Sequence, residues 1–277
     1  ECAVEVGEEW GVTPPSFRPD LEREVDLIEE VGRIAGYQLA PETLPRHTTA
    51  GGLTKPQQVR RAVRRALAGC GLDEVVTYTF VAPDALAPLG LPEGDERLRP
   101  VRISNPMSVE QSVMRTMLLP GLLGAVRANI DRLNDPPSLF EIGRVYLWDE
   151  PSPAPPHAAE PGAVLPHETE VVGMVLCGPL VAESWIEPVR RPDFFTLKGV
   201  VEATLAAVGL RGEFRPLAGG PEQPVALEQK GPVPWRGRFP YLHPGKSAAV
   251  SVPGAGVIGV LGQLRPDVAA AYGLEGL

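Results

Sequence analysis

The sequence has few of the side chains on which metal and redox chemistry usually depend. It contains three cysteines and four histidines in 277 residues. The cysteines, Cys2, Cys70 and Cys177, are odd in number and far apart, so they form neither a zinc motif nor a disulfide framework. The histidines show no ligand spacing. This composition argues against a disulfide-stabilised secreted domain and favours the reducing cytoplasm.

Several other signals are absent. No apolar run approaches the roughly 20 residues that cross a bilayer, so we expect no membrane association. No signal-peptide pattern is visible, and because the chain begins with Glu1 rather than Met we expect a piece of a longer protein. The sequence has no GxxxxGK[ST] loop, no GxGxxG between a strand and a helix, and no GxSxG. It therefore offers no legible site for nucleotide phosphates or for a nucleophilic serine.

The charge balance argues against a surface devoted mainly to nucleic acid, because the formal net charge is −9 at pH 7. One predicted helix nevertheless carries four arginines within a short span: Arg60, Arg61, Arg64 and Arg65. They could contact RNA phosphates, or they could be the solvated face opposite an apolar stripe. That stripe could pack on the underlying sheet or on a partner subunit, and it consists of Val59, Val63, Ala66, Leu67 and Cys70.

Hydrophobic periodicity predicts an α+β protein with a mainly antiparallel sheet flanked by helices. We place a small α/β module at residues 1–45 and a larger domain at residues 46–277. The small module has a helix from about Leu21 to Ala35, with Asp20 as its N-cap. Residues 151–168 are rich in proline and are predicted to be an exposed excursion. The larger domain has helices beginning near residues 55, 120 and 266, and a segment at 193–210 that starts extended and becomes helical. Its predicted strands are 74–80, 101–106, 139–148, 171–178, 240–252 and 256–264.

The predicted first helix is strongly acidic, with six carboxylates between Asp20 and Glu30. Asp26, Glu29 and Glu30 are three and four positions apart and share one helix face, as a magnesium site requires. The same residues also suit a solvated face, on which Glu29 and Arg33 would form an i,i+4 ion pair. From the residues alone, a carboxylate-dependent metal hydrolase and a plain charged surface both stay open.

Five blocks of the sequence, in order, resemble the beta subunit of bacterial phenylalanyl-tRNA synthetases. They are PPSFRPDLEREVDLIEEVGRIAGY, ISNPMSVEQSVMRTMLLPGLLGAVRANIDR, LFEIGRVY, YLHPGKSAAV and GVIGVLGQLRPDV. The resemblance covers nearly the whole chain and is weakest in the proline-rich stretch and at residues 211–238.

The resemblance implies a domain like that of class II aminoacyl-tRNA synthetases but without catalytic residues. In that family, two alpha and two beta subunits attach phenylalanine to tRNA with ATP, and the alpha subunit holds the active site. The resemblance therefore implies an alpha-subunit partner, a second beta subunit, tRNA contact through the complete enzyme, and no activity of this chain alone.

The same resemblance implies that two parts of the sequence contact other subunits. The second helix with EVVTYTF resembles the first class II motif, and NPMSVEQSVMRTMLLPGLL resembles a region near the alpha subunit. Asn105, Arg115 and Asn129 are candidate polar anchors there, with ordinary structural roles as the alternative.

The resemblance also implies a magnesium site. The family's magnesium positions follow the pattern D-x5-D-x2-E-E, which falls on Asp20, Asp26, Glu29 and Glu30 in this sequence.

Overall fold

The structure, a computed structural model, describes residues 2–43, 51–148, 165–180, 184–186, 190–217 and 237–275. The chain divides into two compact units, Glu1–Gly52 and Leu53–Leu277. The predicted boundary at residues 45 and 46 lies outside the described residues and stays a prediction. Most of the predicted proline-rich excursion also lies outside them.

The first unit is a small α/β module. Strands β1 (Ala3–Glu5) and β2 (Gly11–Thr13) pair antiparallel, and helix α1 (Glu24–Ala35) follows. None of the described residues 2–43 is fully buried. Side chains in this module are therefore held mainly by surface interactions rather than by a core of their own.

Helix α1 begins later than its sequence suggests. The backbone N–H groups of Glu22 and Arg23 both donate to the Asp26 carboxylate, at 3.1 and 2.8 Å. Because Asp26 folds back over the first turn in this way, the helix starts at Glu24 and its N-cap is Arg23. The prediction of Asp20 as N-cap is wrong. The helix ends at Gly36, whose φ of 97° is easily adopted only by glycine.

The second unit packs helices on short, mainly antiparallel sheets. Its sheets have the strand orders β3-β6-β7, β4-β5 and β10-β9-β8, and among the strands that the structure describes only β3 pairs in parallel, with β6. In chain order the elements are α2 (Lys55–Gly69), β3 (Asp73–Glu74), β4 (Phe80–Val81), β5 (Val113–Met114), α3 (Leu119–Ile130), β6 (Leu139–Leu147), β7 (His167–Val175), α4 (Phe194–Ala207), β8 (Glu213–Pro216), β9 (Leu242–Val252), β10 (Gly256–Leu264) and α5 (Pro266–Ala271). The predicted α+β class with a largely antiparallel sheet is confirmed.

Local details of this unit differ from the predictions. The predicted strand 74–80 is divided between β3 and β4, and the predicted strand 101–106 contributes only an isolated bridge from Arg102 to Val113. Helix α4 has no extended start, because the Asp193 carboxylate accepts the Thr196 N–H at 2.8 Å and caps the helix directly.

Two hydrophobic clusters fix the helices on the central sheet. Helix α3 contributes Leu122 and Val126 to a cluster that also contains Leu139 and Val145 of β6. In the other cluster, Leu67 of α2 and Val200 of α4 pack on Phe140 of β6, and Val63 and Cys70 of α2 lie against them. The α2 stripe therefore packs on its own sheet, although Val59 is half exposed.

A buried ion pair ties the segment before β4 to the central sheet. Nη1 of Arg115 donates to Glu141 Oε1 at 2.7 Å and to Thr77 Oγ1 at 2.9 Å. Thr77 Oγ1 donates in turn to the other oxygen of Glu141, at 2.7 Å. Both charged side chains are almost completely buried, so each depends on the other to compensate its lost hydration.

We predict that Arg115→Met destabilises the protein by about 3–5 kcal/mol, because it leaves Glu141 buried without a cation. The double variant Arg115→Met/Glu141→Leu should recover most of this loss, since both charges are then gone. Urea unfolding followed by circular dichroism measures both values.

The matched control is Arg144→Met. Arg144 lies on β6, as Glu141 does, and the variant removes its exposed ion pair to Glu168 of β7. Exposed pairs contribute at most about 1 kcal/mol, so this variant should be near wild type. Equal destabilisation by Arg115→Met and Arg144→Met would contradict the role assigned to the buried pair.

Candidate functional sites

An unusual run of apolar side chains faces outward just before and within β4. Val76 is 90%, Tyr78 79% and Phe80 45% exposed, whereas the residues between them are half-buried. The alternation of exposed and half-buried residues is typical of an extended segment, in which Val76 and Tyr78 lie on the same side, and Phe80 follows a bend at Thr79. A 3-10 turn at Val109–Gln111 lies against β4, and both Val109 in this turn and Met107 two residues before it are exposed. We call Val76, Tyr78, Phe80, Met107 and Val109 the apolar strand surface.

The inner side of the same segment is held by the buried ion pair. Thr77, between Val76 and Tyr78, bonds to both Arg115 and Glu141, and the Arg115 N–H donates to the carbonyl of Thr79 at 2.9 Å. The outward position of the aromatic side chains is thus fixed from within. Groups of exposed apolar side chains are typical of protein–protein contact surfaces.

The space behind this segment is small. A cavity of about 30 Å³ is lined by Thr77, Arg97, Arg115 and the start of α3, among other residues. That volume has room for roughly two water molecules. Arg97 is fully buried there, with its guanidinium bonded to Asp95 at 2.7 Å and lying over the Phe239 ring at 5.1 Å. Two guanidiniums and their carboxylates therefore occupy the interior of this region.

The other predicted polar anchors differ in their settings. Asn129 bonds within the end of α3, donating to the Ala125 carbonyl at 2.9 Å and accepting from Asn134 at 3.1 Å. Asn105 lies exposed in the loop before the Val109–Gln111 turn. The structural alternative therefore holds for Arg115 and Asn129.

The four arginines of α2 are not equivalent. Arg60 pairs with Glu170 of β7 and Arg64 with Glu74 of β3, both through short hydrogen bonds. Arg61 and Arg65 are exposed. Because carboxylates of the sheet already neutralise half of this set, it is a weaker candidate for RNA phosphates than its sequence suggests.

In the acidic module, two of the predicted magnesium ligands converge on one cation of the protein itself. Nη2 of Arg18 donates to Asp20 Oδ2 at 2.7 Å and to Glu30 Oε1 at 2.8 Å. Arg33 donates to the remaining oxygen of Glu30 at 2.7 Å. The Arg18 guanidinium therefore lies where a metal ion would bridge Asp20 and Glu30.

The other two predicted ligands are placed elsewhere. Asp26 caps the start of α1, and Glu29 is exposed. Within the described parts of the chain, no group of three or more His, Cys, Asp or Glu side chains is arranged to hold a metal ion. The arrangement does not fit a four-carboxylate magnesium site, and the assignment of magnesium to these residues stays a prediction.

Hydrogen bonding keeps Asp20, Asp26 and Glu30 ionised by lowering their pKa values. The Arg18 guanidinium lowers the pKa of Asp20, and together with Arg33 it lowers the pKa of Glu30 to about 2. The pKa of Asp26 is lowered chiefly by the backbone N–H of Arg23. The predicted Glu29–Arg33 pair is replaced by Glu30–Arg33, three residues apart.

Sequence reasoning missed Arg18 and Glu141. Arg18 stands two residues before Asp20, and this spacing was the available signal for their ion pair. Glu141 stands within the apolar first half, LFEI, of the strand LFEIGRVYL, and a carboxylate among buried apolar residues indicates a buried partner.

Two family profiles together match almost the whole chain. The family described as "Phenylalanyl tRNA synthetase beta chain CLM domain" matches residues 40–276, and the "tRNA synthetase B5 domain" matches residues 1–37. The first match alone spans most of the larger unit and the second most of the small module.

Full-length relatives agree with these profiles. The phenylalanine–tRNA ligase beta subunit of Moorella thermoacetica is 37% identical over 266 residues, covering 95% of this chain and 29% of the relative. That of Symbiobacterium thermophilum is 39% identical over 266 residues, covering 96% of this chain and 26% of the relative. The chain thus spans less than a third of the length of these relatives.

Among solved structures, a pyrrolysyl tRNA synthetase from Desulfitobacterium hafniense aligns with 90% of this chain and 68% of its own. The TM-score is 0.47 and the identity 19%, which is too loose an overlap to carry a conclusion. The family assignment rests instead on the two family matches and on the sequence identity to the relatives. This chain belongs to the phenylalanyl tRNA synthetase beta chain family.

Proposed function

We propose that this chain is a structural, non-catalytic part of a phenylalanine–tRNA ligase, and that it contacts the alpha subunit through the apolar strand surface. The observation that carries the proposal is the exposed face of Val76, Tyr78 and Phe80, held outward by the buried Arg115–Glu141 pair. A face of this kind in a member of a subunit family is best explained as an interface with another subunit.

The interior of the larger unit supports a structural role. Sites for drug-sized ligands reach about 300 Å³ or more, and ATP with phenylalanine needs at least as much space. The cavity behind the apolar strand surface is about 30 Å³, and the two guanidiniums that line it are already bonded to carboxylates. We therefore assign ATP use and adenylate formation to the alpha subunit of the complete enzyme.

The proposal extends to the rest of the assembly. We infer that the complete enzyme contains two alpha and two beta subunits, contacts tRNA, and works in the cytoplasm. No helix among the described residues is long and apolar enough to cross a bilayer. Magnesium at Asp20, Asp26, Glu29 and Glu30 is a separate prediction, and no part of the proposed function depends on it.

The two alternatives from sequence have less support. A carboxylate-dependent hydrolase would need Asp20, Asp26, Glu29 and Glu30 free for metal, and arginines or backbone N–H groups hold three of these four. An RNA-binding module would need the α2 arginines free, and two of the four are ion-paired to the sheet.

We predict that Tyr78→Ala weakens binding of the alpha subunit, because aromatic side chains at the centre of an interface carry much of its binding energy. A hot-spot loss of about 2 kcal/mol corresponds to roughly 30-fold weaker binding. Isothermal titration of the alpha subunit into this chain measures the change.

The matched control is Leu133→Ala, since Leu133 is 96% exposed but lies at the end of α3, outside the apolar strand surface. It should leave the affinity unchanged, and both variants should keep the wild-type unfolding temperature. Wild-type affinity in Tyr78→Ala would remove the surface from the interface.

We also predict that the purified chain alone supports no phenylalanine-dependent ATP–pyrophosphate exchange, because the cavity behind the apolar strand surface is too small for both substrates. The exchange assay measures this, with the complete alpha–beta enzyme as positive control. Exchange by this chain alone, at a rate comparable to that of the complete enzyme, would contradict the structural role.

A further inference from the structure

The strongest unexplained feature is the arginine within the acidic module. All three guanidinium nitrogens of Arg18 donate hydrogen bonds. Nε and Nη2 donate to both oxygens of Asp20 at 2.7–3.1 Å, and Nη1 and Nη2 donate to the two oxygens of Glu30 at 3.1 and 2.8 Å. One guanidinium thus engages two carboxylates bidentately, which is the geometry in which arginine binds carboxylate most strongly.

The backbone presents Arg18 to the helix. Its N–H donates to the carbonyl of Pro15 at 2.9 Å, and its own carbonyl accepts the Leu21 N–H at 3.4 Å. Arg18 therefore lies in a hydrogen-bonded turn, and its contact with Glu30 spans 12 residues to α1. Because no described residue of this module is fully buried, the ion pair is a principal tie between the loop and the helix.

The same contact competes with a metal. Magnesium needs carboxylate oxygens at about 2.1 Å in an octahedral shell, and a guanidinium donating to all four oxygens fills the space between Asp20 and Glu30. Asp26 and Glu29 do not replace Asp20 and Glu30 as metal ligands, because Asp26 caps α1 and Glu29 is exposed.

We propose that Arg18 is a built-in cation that takes the place of a divalent metal between Asp20 and Glu30, so that Mg²⁺ binds this pair only when Arg18 is displaced. The module then needs no metal to hold its loop on α1. Removing the guanidinium converts the two carboxylates into a repelling pair that gains affinity for a divalent cation.

The test is Mg²⁺ titration of the whole chain by calorimetry, at an ionic strength held constant with NaCl. Arg18→Gln should bind Mg²⁺ about tenfold more tightly than wild type, because apparent affinity falls with the fraction of molecules whose site is open. Its unfolding temperature should be lower than that of wild type and should rise with added Mg²⁺, whereas that of wild type should not.

Two matched variants locate the effect. Arg33→Gln removes a guanidinium that contacts Glu30 alone and should leave Mg²⁺ binding as in wild type. Arg18→Gln/Asp20→Asn should lose the gain, because only one of the bridged carboxylates remains. If Arg18→Gln does not fold without metal, Arg18→Lys supplies the comparison. The point charge of lysine cannot bridge two carboxylates, so the Mg²⁺ affinity of Arg18→Lys should lie between that of wild type and that of Arg18→Gln refolded with metal.

Three results would overturn the proposal. In the first, wild type binds Mg²⁺ as tightly as Arg18→Gln, which would mean that the carboxylates accept metal without displacing Arg18. Arg18→Gln and Arg18→Lys could both fail to gain Mg²⁺ affinity. The gain could also survive in Arg18→Gln/Asp20→Asn, which would place the metal elsewhere.

Discussion

The buried pair of Arg115 and Glu141 is the interaction on which the rest of the larger unit depends. Two opposite charges taken out of water are tolerable only while they stay together, so the pair fixes its surroundings tightly. Thr77 is part of the same network, and it belongs to the extended segment that leads to β4. Since alternate residues of such a segment face opposite sides, fixing Thr77 inward places Val76 and Tyr78 outward.

The Arg115–Glu141 pair therefore determines which side chains lie on the inner and which on the outer side of the segment that leads to β4. On the inside, charged side chains bond to one another and leave a cavity of about 30 Å³. On the outside, aromatic and aliphatic side chains are presented without cover. A catalytic domain would need the reverse, an open polar pocket. Both observations support the proposed structural role of this chain beside an alpha subunit.

Elements whose signals are local could be predicted from sequence. Helix α2 begins at Lys55 as expected, and β6, β9 and β10 occupy nearly their predicted ranges, because their apolar periodicity and turns lie within the elements themselves. The start of α1 could not be predicted, because Asp20 is a preferred N-cap residue whereas Arg23, the N-cap in the structure, is not. The strand EVVTYTF has the same pattern whether its outer face is covered or free.

The acidic module shows the same limit for a site. Its carboxylates are evident in the sequence, but the helix face that holds Asp26, Glu29 and Glu30 suits a metal and a salt-bridged surface equally well. What separates the two is a contact over 12 residues, from Arg18 to Glu30, and periodicity contains no information about such contacts. A loop arginine near an acidic helix is the signal to examine in similar sequences.

Hydrogen–deuterium exchange of this chain, with and without the alpha subunit, tests the central claim most directly. The account predicts that slowed exchange on binding is concentrated in residues 75–81 and 105–111, with residues 127–134 at the end of α3 unchanged. Protection at residues 127–134 with none at 75–81 would contradict it.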